Sequence, residues 1–285
     1  MAENTSNRID VLKTYKLFIG GAFPRSESGR VYPIKDFKGI HLANPALASR
    51  KDLRDAVVAA RVAFPVWSSA TAYNRGQILY RMAEILEGRS AQFVDEVSAL
   101  EGVSSRVALA QVKESVDLLV WYAGWCDKIS ALDGATNSVS GPFYNFTIPE
   151  PIGVVAIFVA VKPSLFNFVG AIASVISSGN TAVVVASEKF PLPAITFAEC
   201  MATSDVPAGV VNVLTGLTSE LAPWAASHMD IDAIDASGLL PKLLKEVKIA
   251  GVGNLKRIKV PMDIKSPQRI LDFMETKTVW HPIGI

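Results

Sequence analysis

Two side chains could serve as strong nucleophiles, the thiols Cys126 and Cys200. A thiol attacks as its thiolate, and a neighbouring cation, base or helix N-terminus must lower its pKa first. Neither cysteine has such a neighbour in sequence, and the pair has no metal-ligand or disulfide-framework spacing. Cys200 falls near the end of one predicted helix and Cys126 on another, so both read as structural. The histidines His41, His228 and His281 lie outside any G-x-S-x-G or metal-binding pattern. Serine-triad and zinc chemistry therefore gain no support. The remaining polar candidates are Lys162, Ser187, Glu188, Lys189, Thr215 and Ser237, each following an apolar run. In an open parallel sheet, ligands bind beyond the carboxyl ends of such runs. Taken singly, each of these side chains reads first as a water-facing loop residue.

A glycine-rich phosphate cradle is not encoded. The first strand-to-helix turn reads AVKPSLF, without G-x-G-x-x-G, and no Walker loop occurs. Gly251-Val252-Gly253 follows a helical segment and reads as a turn. The stretch SSGNTAVVVASEKFPL (177–192) looks like a strand of a nucleotide-binding sheet, yet no lysine or arginine stands at the strand's end.

The elements that would position these groups follow from periodicity. From residue 151 onward, apolar runs alternate with helical patterns: VVAIFVAV (154–161), TAVVVAS (181–187), GVVNVLTG (209–216) and IDAID (231–235) as strands, with helices over 164–178, 191–204 and 219–229. Continuous apolar runs joined by helices argue for a parallel sheet of right-handed βαβ units, buried on both faces. Before residue 151 the pattern is different. Tyr15-to-Gly20 and Val31-to-Ile34 suggest a hairpin. Helices are expected over 49–64, over 72–102 with a break at Gly88, and over 105–132. Residues 236–285 are less regular, with 242–251 helical and 276–285 extended. Pro163 interrupts the apolar stretch 152–178, so a buried strand and helix fit it better than a membrane span.

Composition sets the outer bounds. The 285 residues suit one large domain or two smaller ones, and half are hydrophobic. A net charge of +1 gives no bulk attraction to nucleic acid or anionic membrane, and no basic stripe interleaves with aromatics. The first ten residues lack an apolar core of the secretory type. With two cysteines in no framework, a cytoplasmic setting is expected.

KLFIGGAF near the start, NPA (44–46), DLRDAVVAARVAFPVW (52–67), EPIGVVAIFV (150–159), SGNTAVVVASEKFPL (178–192), PAGVVNVLTG (207–216) and ASHMDIDAI (226–234) together resemble the coenzyme-binding half of an aldehyde dehydrogenase. The tail NLKRIKV…ETKTVWHPIGI resembles the end of the truncated second module of family 16 type aldehyde dehydrogenases. The resemblance implies an α/β, Rossmann-like parallel sheet with flanking helices, preceded by an N-terminal hairpin and helical layer, with the catalytic domain missing. It divides the single module into 15–150 (hairpin and helical layer), 151–240 (βαβ core) and 241–285 (C-terminal segment). It implies NAD or NADP as coenzyme, and places the coenzyme site at Val161, Val185, Ser187, Glu188, Gly209 and Gly238.

The resemblance also exposes departures. Where the family has an asparagine whose amide helps form the oxyanion hole, this chain reads Ala160-Val161-Lys162-Pro163. Val185 stands where a ribose-binding lysine is expected, while Glu188 keeps the position of a ribose-binding glutamate. Leu239 replaces a pyrophosphate-facing serine, and only Gly238 of that turn is retained. Neither cysteine occupies the family nucleophile's place. Without a positioned thiolate no thiohemiacetal forms and no hydride leaves. Three readings stay open: a non-catalytic module acting in assembly or regulation, part of an NAD(P)-dependent aldehyde oxidoreductase whose catalytic domain is on a longer product or partner, and a nucleotide-binding sensor using Glu188. The partner implied is a second copy or a catalytic aldehyde dehydrogenase module, with no nucleic acid and no membrane.

Overall fold

The computed structural model describes residues 11–261 and 263–284; the segment read above for a leader lies outside them. The chain enters along the edge of the main sheet. Phe18 donates its N–H to Val213 O at 2.9 Å and accepts the Val213 N–H at 2.7 Å. Gly20 and Gly21, at φ +59° and +79°, then close a tight turn that bridges Ile19 to Ala22. This corrects the expected hairpin. So tight a turn returns the chain on Ala22, and Val31 bridges Ala46 instead. A small ribbon follows, β1 (Ile34–Lys35) against β2 (His41–Ala43).

The helical layer comes next: α1 (Arg50–Ser69), α2 (Ala72–Gly88), α3 (Ser90–Glu101), α4 (Ser105–Ala123) and α5 (Ile129–Asp133). A capping box starts α1. Ser49 Oγ accepts from Lys51 N and Asp52 N, and Asp52 accepts the Ser49 N–H at 2.7 Å. The break expected near Gly88 falls at Arg89. The helix expected over 105–132 is two pieces, because the chain turns through Gly124–Lys128. Glycine is a poor helix interior residue, and the Lys128 ammonium holds Gly124 O at 2.5 Å. Cys126 therefore sits in a turn and not on a helix.

A three-stranded antiparallel sheet follows, β3 (Ala135–Asn137) and β4 (Phe143–Pro151), completed from the far end of the chain. The main sheet is built from β5 (Val154–Phe158), α6 (Ser164–Ser177), β6 (Thr181–Val185), α7 (Leu192–Met201), β7 (Val211–Leu214), α8 (Thr218–Ser227), β8 (Ala233–Asp235), α9 (Pro241–Ala250) and β9 (Arg257–Lys259). Its strands are all parallel, in the order β7-β6-β5-β8-β9. After α10 (Pro267–Leu271), β10 (Met274–Pro282) pairs with β4 over nine residues. The tail is thus more regular than its sequence suggests. Its RIK segment is too short and too polar to read as a strand alone.

Strand alternation explains the unbroken valine runs. Val155, Ile157, Ala182 and Val184 face α6, α7 and the helical layer, in one apolar cluster. Val154, Ala156, Phe158, Val183 and Val185 face α1 and α8, in a second. Both faces are covered, so both phases of the period-two pattern must be apolar. Among the described residues no helix is long and apolar enough to cross a membrane.

Candidate functional site

The order of the main sheet reverses at β5. From it the chain moves outward through β6 and β7, then returns to lay β8 and β9 on the other side. Loops leaving β5 and β8 diverge at such a point and leave a crevice. A groove of about 410 Å³ lies there, lined by Val161, Ser187, Glu188, Thr218, Gly238 and Leu240 among others. Four of the six residues expected at a coenzyme site are therefore brought together.

Gly238 sets the depth of the groove. Its N–H donates to Phe158 O at 2.8 Å, so the loop after β8 lies on the end of β5. A Cβ there would overlap Val159 O and come within 2.6 Å of Phe158 O. Only glycine permits this approach.

The other two residues are not in the groove. Val185 is 1% exposed and packs in the apolar cluster between sheet and α1/α8. Gly209 precedes β7, at the opposite end of the strands. Its φ of +86° and a Cβ position 2.5 Å from Ala59 O assign it to the packing of α1 on the sheet. Neither is placed to touch a ligand bound at the strand ends.

Several polar groups at the strand ends are engaged by the protein itself, while Lys189 and Ser219 line the groove and are exposed. Glu188 Oε1 accepts the N–H of Thr218, the first residue of α8. Leu217, the N-cap of that helix, has no side-chain acceptor to offer. Glu188 supplies the missing cap from another loop, where its charge also complements the helix dipole. Ser187 is buried and its Oγ accepts from Phe190 N at 3.3 Å. Lys162 donates to Glu101 O at 2.9 Å and lies 4.9 Å from the Phe190 ring centroid. Lys189 lies 5.5 Å from the same centroid. Glu101 Oε1 in turn accepts from Ser164 N at 2.8 Å and from Ser164 Oγ at 2.6 Å, and Gln111 Oε1 accepts from Leu165 N at 2.9 Å. The first donors of α6 are thus filled from the helical layer. Thr215 is fully buried and its hydroxyl donates to Ala46 O at 2.6 Å.

The start of α9 forms the remaining wall. Leu239 is buried, Leu240 caps the helix without a side-chain acceptor, and Pro241 at the first helical position has no N–H.

Sequence reasoning missed the pair that closes β8. Asp235 accepts from Arg269 Nη2 at 2.6 Å, and the two side chains are 0% and 4% exposed. Asp235 also accepts the Ser237 N–H at 3.0 Å, while Arg269 donates to Ser174 Oγ at 3.3 Å. Burial pushes the Asp235 carboxyl up from its usual range, and Arg269 opposes that shift. The pair ties α10 to the loop that carries Ser237 and Gly238. The available signal was an aspartate ending an otherwise apolar strand.

Both thiols are buried, at 3% and 0% exposed. Burial pushes Cys126 and Cys200 each up to about 11. Cys126 donates to Tyr122 O at 3.5 Å, and Arg89 Nη1 lies 3.7 Å from Cys200 Sγ without reversing that rise. Neither lines the groove at the strand ends. Among the described residues no group of three His, Cys, Asp or Glu side chains could hold a metal ion.

Comparison with known proteins adds four findings. The model of the aldehyde dehydrogenase family matches residues 23–281. Cytosolic 10-formyltetrahydrofolate dehydrogenase of Xenopus tropicalis is 32% identical over 273 residues, which cover 93% of this chain and 30% of that protein. Retinal dehydrogenase 2 of Gallus gallus is 35% identical over 266 residues, covering 91% of this chain and 50% of that one. Among solved structures, PnpE from Pseudomonas sp. WBC-3 superposes with a TM-score of 0.80 at 29% identity, over 86% of this chain and 50% of PnpE, and a structure of PnpE in complex with nicotinamide adenine dinucleotide superposes equally well. The chain spans half or less of the length of these relatives.

Proposed function

The chain belongs to the aldehyde dehydrogenase family, and from that membership we propose that it is a non-catalytic module, acting by assembly with a catalytic aldehyde dehydrogenase module or with a second copy. One observation carries this reading: both thiols are buried, at 3% and 0% exposed, and neither lines the groove at the strand ends where a substrate carbonyl would have to meet the coenzyme. Without that nucleophile the acyl-transfer half of aldehyde oxidation has no starting point.

The groove supports the same conclusion. A dinucleotide's pyrophosphate needs free N–H donors, or a cation, at a helix start. Here Glu188 occupies the start of α8, Pro241 removes a donor from α9, and Lys162 is held by Glu101 O. These three positions are thereby withdrawn from a pyrophosphate, and the cation that lines the groove is the exposed Lys189. What survives is a frame: Glu188, Ser187, Val161 and Gly238 around the switch-point crevice. We treat residues 1–285 as one module in a cytoplasmic setting, in keeping with its two free cysteines.

A second reading is favoured by coverage. The alignments cover more than nine-tenths of this chain but half or less of these relatives. In that reading the chain is the coenzyme half of an NAD(P)-dependent oxidoreductase whose catalytic half lies on a longer product or a partner. Calorimetric titration with NAD separates the two. The leading reading expects no heat and no thermal shift. A stabilisation of about 2.7 kcal/mol at roughly 100 times the dissociation constant, lost in Glu188→Ala, would transfer weight to the coenzyme-binding reading.

A further inference from the structure

A second groove, of about 440 Å³, lies at the opposite end of α8, between the last turn of that helix and the first turn of α1. Its walls are Arg50, Lys51 and Arg54 from α1, and Trp224, Ser227 and His228 from α8. Helix α8 is ten residues long, about 15 Å, and this groove lies toward the end of it away from the crevice at the strand ends.

The charges here are not equivalent. Lys51 pairs with Glu27 at 3.2 Å, and Arg54 pairs with Asp55 at 2.7 Å. Arg50 has no carboxylate partner among the described residues. Its Cζ lies 3.7 Å from the centroid of the Trp224 ring, which is 41% exposed. A guanidinium resting on an indole keeps its in-plane N–H donors free at the edge, in the fork that matches a carboxylate or phosphate. His228 adds a neutral donor. Its Nδ1 accepts the Asp230 N–H at 3.2 Å, which leaves the proton on Nε2. Burial holds that imidazole below its usual range, with Lys256, Arg50 and Arg61 acting in the same direction and Asp230 opposing.

We propose that this groove is a binding site for a small planar organic anion, whose oxygens engage Arg50 and whose ring packs beside Trp224. Three features match that ligand class: an uncompensated fork donor, an aromatic surface next to it, and a concave volume of about 440 Å³ that accommodates a ring with its substituents. A bare inorganic anion would leave the indole unused, and an uncharged ring would leave Arg50 unpaired. The site is independent of the coenzyme question, because it shares no lining residue with the crevice at the strand ends.

The test titrates the full chain with benzoate, cyclohexanecarboxylate and inorganic phosphate. The Trp224 indole N–H resonance, assigned with Trp224→Phe, reports binding. The Trp67 indole, donating to Ile176 O at 3.1 Å in the core, is the internal control. Benzoate is expected to shift Trp224 saturably, with cyclohexanecarboxylate and phosphate about tenfold weaker. Arg50→Gln, an exposed substitution that leaves the fold intact, is expected to lose benzoate at least about tenfold, and Arg50→Lys less. No saturable shift with any probe, equal affinity for benzoate and cyclohexanecarboxylate, or unchanged benzoate binding by Arg50→Gln would each overturn the assignment.

Discussion

Replacing Glu188 by alanine probes how the crevice is organised. Its carboxylate caps α8 through Thr218 N, and Leu217 at the N-cap position offers no substitute. Losing a side-chain cap costs roughly 0.5–2 kcal/mol. Losing a carboxylate at a helix N-terminus removes a further ~0.3–1 kcal/mol. Glu188 is only partly exposed, so a total near 1.5 kcal/mol is expected, or about 2–3 °C in Tm for a chain of this size. Glu188→Gln keeps an acceptor and should lose only about a third of that. Leu217 is 40% exposed, so Leu217→Asp can be added without disturbing the core. In the Glu188→Ala background it should restore most of the loss, because it rebuilds the cap locally. Thermal unfolding followed by circular dichroism measures all four proteins. A Tm for Glu188→Ala within about 1 °C of the parent, or no rescue by Leu217→Asp, would show that the carboxylate is not spent on the helix. The account of a self-engaged crevice would then be wrong.

Three further outcomes are expected. Arg269→Met strands the Asp235 carboxylate and should cost about 3–5 kcal/mol in chemical denaturation, while Asp235→Val with Arg269→Met should recover much of it. Lys256 donates to His228 O and Ile231 O, and burial lowers it to about 8. Because its folded pKa lies below the unfolded value, the folded state sheds this proton first as pH rises. Stability relative to Lys256→Met should therefore increase from pH 7 to pH 9, by about 1 kcal/mol, and a flat or falling difference would contradict the burial argument. Finally, neither cysteine should react with a disulfide reagent in the native chain over minutes, and both should titrate on unfolding.

The βαβ core was legible because its physics is local. Runs such as TAVVV and VVAIF can be buried on two faces only inside a parallel sheet, and Gly179, at φ +93°, ends α6 where the sequence placed a cap. The N-terminal hairpin was misread because Phe18 finds its partner 195 residues away at Val213, a pairing no local signal carries. The strand β9 escaped for a similar reason: Arg257, Ile258 and Lys259 become a strand only because β8 is present to pair with. In the crevice, Ser187, Glu188, Val161 and Gly238 were placed from strand ends and family likeness. What they do there was not legible. That Glu188 caps α8, or that Arg269 reaches Asp235 across 34 residues of sequence, depends on loops meeting in space.

The central claim is that this chain cannot oxidise an aldehyde by itself. Its most direct test is aldehyde-dependent NADH formation, read by absorbance, with the purified chain alone over a panel of aliphatic and aromatic aldehydes. The account predicts a rate no different from the enzyme-free blank, with either NAD or NADP. Steady turnover that scales with chain concentration and disappears in Cys126→Ala or Cys200→Ala would contradict it.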